Sequence, residues 1–393
     1  VILITFHLAE LYDVNAQIMI TAVAGLFILP FFLFSSLAGQ IADKYEKSFL
    51  IRIIKFVEIV LMCLTAAAFE TMHLWWLVFL LFCMGTQSTF FGPLKFSILP
   101  QLLNDEELVA GNGLVNAGTN IAILTGTLCG GLFILSPLGR HYISAGVVGV
   151  AVAGYAASRF IPLAAPSSPK LRIDRNLFRS TWEMLVYPLS NKDVFRSIIG
   201  ISWFWFLGSV FLAQFPSFAK DTLGGDEQVS TLFLVIFSVG VGAGATLCNK
   251  LLKGRVSGRY LSYSLIGMSV FIGMLYMFSA SAPAGEGLMS VWEFLRGPRA
   301  AGIVFSMFMI ALSGGLYSVP MYAMMQRMTP ESHMARVIAS LNIIDSLGMV
   351  LAAALTALMI AAGMSISGIF FAMAFINLLM LPLTIKLSRI NYD

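Results

Sequence analysis

A lysine, a row of asparagines four residues apart and an aspartate stand inside otherwise apolar stretches, and these are the residues of this chain able to do chemistry. Lys95 sits in Gly92-Pro93-Leu94-Lys95-Phe96, where Pro93 frees a backbone carbonyl one turn back. A lysine near the middle of an apolar helix costs about 2.5–3.5 kcal/mol in a bilayer, so it either binds an anion or snorkels to the headgroups. Asn112, Asn116 and Asn120 share one helical face, and Asn342 and Asp345 lie at comparable depth in a later stretch. Gln87, in the polar run Thr86-Gln87-Ser88-Thr89, and Gln214 add two amides. Such groups hold ions and hydrogen-bond headgroups. No Ser/His/Asp or Cys/His constellation and no metal-ligand spacing accompanies them, so binding without catalysis or a cofactor is expected. The asparagines either line a cavity or glue helices together at about 0.6 kcal/mol each, and both readings stay open here.

The elements that position these groups follow from composition. The chain is 58% hydrophobic and 11% charged with a mean hydropathy of +0.87, too apolar to cover a soluble globule of 393 residues. Lipid must be its solvent. A span needs about 20 apolar residues. Such spans fall at 16–39 (helix two), 48–69 (three), 74–97 (four), 108–133 (five), 141–164 (six), 195–219 (seven), 229–252 (eight), 259–281 (nine), 299–326 (ten), 335–362 (eleven) and 364–387 (twelve). Val1 to Ala9 is under half a span and is expected to be the end of helix one, which makes twelve.

Charge sets the orientation. With the loop after helix two placed in the cytoplasm, all but five of the 24 lysines and arginines fall on that side. The exceptions are Arg140, Lys220, Arg296 and Arg299 opposite, and Lys95 within a span. That asymmetry is the positive-inside pattern, so the net charge of +4 reflects topology and contact with anionic membrane lipids, not a nucleic-acid partner. The cysteines Cys63, Cys83, Cys129 and Cys248 all fall in spans and are expected to pack as small apolar residues. Glycine clusters such as Gly240-Val241-Gly242-Ala243-Gly244 have no strand ahead of them, which excludes a phosphate loop and points to close helix packing.

The longest polar stretch between spans, 165–194, divides the chain into bundles at 1–164 and 195–393. Within this cytoplasmic linker Leu177, Phe178, Thr181, Trp182, Leu185 and Val186 recur at helical spacing until Pro188, opposite Arg175, Arg179 and Glu183. This predicts an amphipathic helix, lying at the membrane interface or packed on the bundle. Pro93 and Pro320, and Asn116 and Asn342, occupy matching places in the two halves, as two parallel six-helix repeats would leave them. Gly244 falls where Gly39 falls in the first half, with Cys248 in place of the aspartate.

Gly39-Gln40-Ile41-Ala42-Asp43-Lys44, followed by Lys47, resembles the loop between helices two and three of major facilitator transporters. The resemblance implies an all-α membrane protein with the major facilitator fold, twelve transmembrane helices in two pseudo-symmetric six-helix bundles. It also implies conformational gating at Gly39, Asp43 and Lys44. A narrower resemblance rests on Phe91-Gly92-Pro93-Leu94-Lys95-Phe96-Ser97-Ile98-Leu99-Pro100, Val109-Ala110-Gly111-Asn112-Gly113-Leu114, and Val319-Pro320 with Met324-Met325-Gln326. These strings are similar to the lysophospholipid transporter branch. That implies moving single-chain phospholipids to the cytoplasmic leaflet of a bacterial inner membrane by alternating access, for a partner acyltransferase and acyl-carrier-protein synthetase that in some members is fused behind the transporter. Lys95 and Asn112 match the branch directly. Helix seven lacks the arginine of some relatives, leaving Gln214 as its polar candidate. Met307, Met309, Met321, Met324, Met325 and Met328 offer adaptable apolar surface to an acyl chain or plain packing. Two other classes stay open: a proton-coupled drug or metabolite antiporter using Asp345, and a membrane anchor for a fused acyltransferase.

Overall fold

The structure is a computed structural model that describes residues 16–133, 138–174, 176–279 and 288–390. The stretch expected as helix one lies outside them. Each full span has a helical counterpart: helix two Ala16–Lys44, three Lys47–Thr71, four Leu74–Ser97, five Asp105–Phe133, six Gly139–Ser158, seven Lys192–Ser217, eight Glu227–Leu252, nine Leu261–Ser279, ten Ala300–Met328 and eleven Met334–Ala361. Helix twelve is a pair, Ile366–Leu378 and Leu381–Ser388, bent by 42°. Pro382 in the first turn of the second segment explains the break, since its ring cannot sit against the carbonyl four residues back.

Among the described residues eight helices are long and apolar enough to cross a membrane, or nine with the bent pair as one span. Helices three and five fall below that measure for a local reason. Helix three carries Lys47, Arg52, Lys55, Glu58 and Glu70, and helix five opens with Asp105, Glu106 and Glu107 before its asparagines. On helix three Lys47 is buried and Lys55 and Glu58 are half-buried, while Phe49, Ile53, Phe56, Val57, Val60 and Leu64 stay exposed as a lipid-facing stripe.

Two expected boundaries differ. Helix six ends at Ser158 rather than 164, because Pro162 drives the preceding residue out of helical geometry. The freed segment lets the Ala164 carbonyl accept from the Lys47 N–H at 3.2 Å. The linker helix runs Leu177–Ser190 and continues through Pro188 instead of stopping there. Its Ser180, Met184 and Pro188 face is buried, and Phe178, Trp182 and Leu189 are exposed.

The chain forms two compact units. One holds the described residues up to Leu102 with Thr125–Ser190 and Thr329–Ser346. Here helix two packs on four and helix three on six, and the first half of helix eleven joins them. The other holds Leu103–Leu124, Asn191–Met328 and the described residues from Leu347 onward. There helix ten packs on eight, nine and seven. Helices five and eleven therefore each contribute their N-terminal portion to a unit built mostly from the opposite sequence half.

Gly244 shows how close that packing is. A Cβ there would overlap the Leu312 carbonyl oxygen and lie 3.1 Å from the Gly315 Cα, both backbone atoms of helix ten. Gly244→Val should therefore force helices eight and ten apart and cost about 1–3 kcal/mol, read as a lower thermal midpoint in detergent. An unchanged midpoint would contradict the contact.

Candidate functional site

Asp43 closes helix two at a position with no exposed surface. Its Oδ1 accepts from the Ala335 N–H at 3.1 Å and its Oδ2 from Arg336 Nε at 2.9 Å. Ala335 lies in the first turn of helix eleven, where unpaired N–H groups and the helix dipole favour a carboxylate. Gly39, one turn before Asp43, makes the approach possible: a Cβ on it would meet Ala339 Cβ at 2.8 Å and Arg336 Cα at 3.1 Å. The glycine brings the backbones together and the aspartate binds what arrives. Arg336 is fixed in turn by its Nη2, which donates to the Ser332 carbonyl at 2.5 Å.

The linker wraps this contact. Ser168 donates its N–H to the Asp43 carbonyl at 2.7 Å and its hydroxyl to the Ser332 carbonyl at 2.9 Å. Gln40 accepts from the Asp174 N–H at 2.7 Å, and the Ser340 hydroxyl donates to the Met184 carbonyl at 2.9 Å. The Tyr187 and His333 rings stack at 4.3 Å. A cavity of about 220 Å³ opens beside the clasp, lined by Gln40, Arg172, Asp174, Tyr187, His333 and Arg336 among others.

Lys44, expected to gate with Asp43, is half-buried with its ammonium 5.7 Å from the centre of the Tyr45 ring. Lys47 takes the inward position instead. It has no exposed surface, and its ammonium donates to Gln101 Oε1 at 3.0 Å and Ser167 Oγ at 2.6 Å. Between the two lysines, Glu46 caps helix three by accepting from the Ser48 and Phe49 N–H groups and also takes the Ala164 N–H. Burial works against its charge, but those donors together with the Ser48 hydroxyl outweigh it and hold the carboxyl below the usual carboxylate range.

In the second unit Asn112 and Gln326, both fully buried, exchange amide bonds: Asn112 Nδ2 donates to Gln326 Oε1 at 2.5 Å and Gln326 Nε2 donates to Asn112 Oδ1 at 3.2 Å. One turn toward the surface Arg327 pairs with Asp105 at 3.0 Å. These contacts tie the start of helix five to the end of helix ten. Gly244 does not repeat the role of Gly39, since it packs helix eight on ten, and Cys248 is buried.

The remaining candidates divide between the units. Asn116 is buried on helix five with an amide nitrogen that has no hydrogen-bond partner among the described residues, and the Asn120 amide donates back to the Asn116 carbonyl at 2.9 Å. In the first unit Asn342 lies against Gly92 of helix four, and its amide nitrogen is likewise without a partner among the described residues. Asp345 is half-buried three residues further on. Gln87 donates to Glu58 Oε2 of helix three at 2.9 Å. Lys95 is half-buried with its ammonium 4.7 Å from the Phe96 ring centre. Gln214 is half-buried near the outer end of helix seven. Met307, Met321, Met324 and Met325 are closed in the core, which settles them as packing and not as exposed lining.

Asp43 thus ties helix two to the start of helix eleven inside one unit, and Asn112 with Gln326 ties helix five to helix ten inside the other. The chain belongs to the Major Facilitator Superfamily, whose family model matches residues 1–307, and it is a multi-pass membrane transporter. Among curated proteins it is 25% identical over 315 residues to the lysophospholipid transporter LplT of Salmonella gallinarum, covering 78% of this chain and 70% of that one. The Salmonella typhimurium protein of the same name matches to the same extent. Solved structures share the fold at lower identity. The human organic anion transporter MFSD10 gives a TM-score of 0.71 at 11% identity, covering 94% of this chain and 84% of that one. A bacterial homologue of the iron transporter ferroportin in an outward-facing state gives 0.69 at 12%, covering 98% and 94%.

A helix-end amide and a nearby arginine are the partners expected for a carboxylate at Asp43, but many lysines and arginines crowd these loops, so neither Arg336 nor Lys47 stands out by type or spacing. Gln326 was legible as an amide in helix ten at the level of Asn112. Lys47→Ala removes from a fully buried position the donor to Gln101 Oε1 and Ser167 Oγ and should cost about 1–3 kcal/mol of stability. Lys44→Ala, which touches no such partner, should cost under about 0.5 kcal/mol. Thermal midpoints of the two variants in detergent check this, and equal shifts would contradict the assignment.

Proposed function

We propose that this chain moves single-chain phospholipids to the cytoplasmic leaflet of a bacterial inner membrane, where an acyltransferase restores the second chain. The observation that carries this reading is the similarity to curated lysophospholipid transporters over 78% of the chain. The two bundles, 1–164 and 195–393 about the linker, act as the moving parts. Lys95 takes the lipid phosphate, because a lysine ammonium is a compact cation and the phosphate is the charge every such headgroup carries. Gln87, Asn112, Asn116, Asn120, Gln214, Asn342 and Asp345 supply hydrogen bonds along the path.

Gating falls to Gly39 and Asp43. With the clasp made, the cytoplasmic end of helix eleven is bound to helix two. Delivery to the inner leaflet requires that contact to open and the buried carboxylate to meet water. The Asn112–Gln326 amide pair opens in the same cycle, ahead of the clasp.

Uptake of labelled lysophospholipid by proteoliposomes at matched protein levels tests the reading. Lys95→Ala should lower uptake of zwitterionic and anionic lysophospholipids alike by about tenfold or more, the cost of a lost charged hydrogen bond, and Lys95→Arg should retain part of it. Parental uptake by Lys95→Ala would overturn the phosphate role. No uptake by the parent chain would overturn the substrate.

A further inference from the structure

The linker helix Leu177–Ser190 has three sides, and among the described residues one of them is packed. That side holds Ser180, Met184 and Pro188, four residues apart and buried. The Ser36 hydroxyl of helix two donates to Ser180 Oγ at 2.5 Å, and the Ser340 hydroxyl of helix eleven donates to the Met184 carbonyl at 2.9 Å. A second side carries the charges, Arg179 paired with Glu183 at 2.8 Å, both exposed. The third carries Phe178, Trp182, Val186 and Leu189, which recur at helical spacing. All four are exposed, Phe178 at 87% and Trp182 at 70%.

A contiguous apolar stripe held in water is costly, so it marks a surface that something covers. The points at which the helix is bonded say what covers it. Ser36 lies two turns before Asp43 on helix two, and Ser340 lies nearly two turns after the start of helix eleven at Met334. At 1.5 Å per residue both stand about 10 Å inside the ends of their helices. The linker helix therefore lies beside the spans and not beyond them, at the depth where headgroups give way to acyl chains. Its three sides match that place: one against the spans, a charged edge for headgroups and water, and an apolar stripe for acyl chains. Tryptophan, here Trp182 in the stripe, concentrates at this boundary. Lys170 and Arg172, exposed in the segment leading into the helix, complement anionic headgroups. A soluble partner would need the stripe to stand clear of the bilayer, whereas the bonds to Ser36 and Ser340 hold it at bilayer depth.

We propose that the linker helix is an interfacial membrane anchor, in which Phe178, Trp182, Val186 and Leu189 insert among the acyl chains of the leaflet at the clasp end while Arg179 and Glu183 stay in the headgroup layer. The anchor goes beyond the transport reading and holds whichever substrate the chain carries. It also attaches the clasp to the lipid surface, because the linker binds Gln40 and Ser340, each one turn from a clasp residue.

The test reads the surroundings of single positions in the full chain, reconstituted in liposomes that contain anionic phospholipid. With Cys63, Cys83, Cys129 and Cys248 replaced, Phe178→Cys, Trp182→Cys and Leu189→Cys carry an environment-sensitive fluorophore, and Arg179→Cys and Glu183→Cys carry it on the charged edge. On the stripe, emission should shift to the blue and be quenched more strongly by nitroxide on lipid acyl chains than by aqueous iodide. On the charged edge the order should reverse. Iodide quenching of the stripe as strong as that of the edge would show a surface open to water and to a soluble partner, and would overturn the proposal. Shielding of the stripe from both quenchers would show a protein cover such as a second copy, and would overturn it equally. A second measurement keeps all four cysteines: brominated lipids should quench part of the tryptophan emission of the parent chain, and Trp182→Phe should remove a share of that quenched part. An unchanged quenched part in Trp182→Phe would contradict the anchor.

Discussion

A carboxylate with no exposed surface is costly unless its charge is met, and Asp43 meets that cost only where helix eleven begins. The Ala335 N–H and the Arg336 guanidinium both reach it because Gly39 removes the side chain that would hold helix eleven away. Neither residue works alone. A larger residue at 39 leaves the carboxylate buried without donors, and without Asp43 the helix start and Arg336 lose their anion. The linker depends on the same contact, since Ser168 binds both the Asp43 carbonyl and the Ser332 carbonyl that also anchors Arg336.

The opposite repeat buries a neutral amide pair and leaves its ion pair at the surface. Helix eight carries Cys248 where helix two has its aspartate, and the tie between sequence halves passes to the Asn112–Gln326 amide pair with Asp105–Arg327 at the surface. Neutral hydrogen bonds contribute about 0.5–1.5 kcal/mol each and charged ones about 1.5–3 kcal/mol. The two ties are therefore unequal. The first repeat supplies the strong, charge-based contact, and the second a weaker one whose groups rehydrate at less cost. An opening that starts at the amide pair and ends at Asp43 is the order this difference favours.

Much of this was legible in the sequence because bilayer physics leaves few choices. Spans and the Gly39–Asp43 spacing follow from hydropathy and helical period, and each full span has its helix. Boundaries were less legible where a proline acts in an unexpected sense: Pro162 ends helix six early, whereas Pro188 sits inside the linker helix. Side-chain partners were hardest. Lys44 and Lys47 look alike in sequence, and only the fold separates the lysine beside Tyr45 from the one sealed against Gln101 and Ser167. Likewise Lys55 and Glu58 form a local pair by spacing alone, and the neighbouring Gln87 and Phe91 emerge only when helix four is laid against helix three.

The central claim is that the ties between sequence halves at the cytoplasmic end must break in each transport cycle. Its most direct measurement uses a chain with Cys63, Cys83, Cys129 and Cys248 replaced, carrying Asn112→Cys and Gln326→Cys and bridged by a short bis-methanethiosulfonate, which attaches through two reducible disulfides. The account predicts efficient bridging, loss of lysophospholipid transport, and recovery to the unbridged level on reduction. Transport at the unbridged rate while the bridge is intact would contradict it.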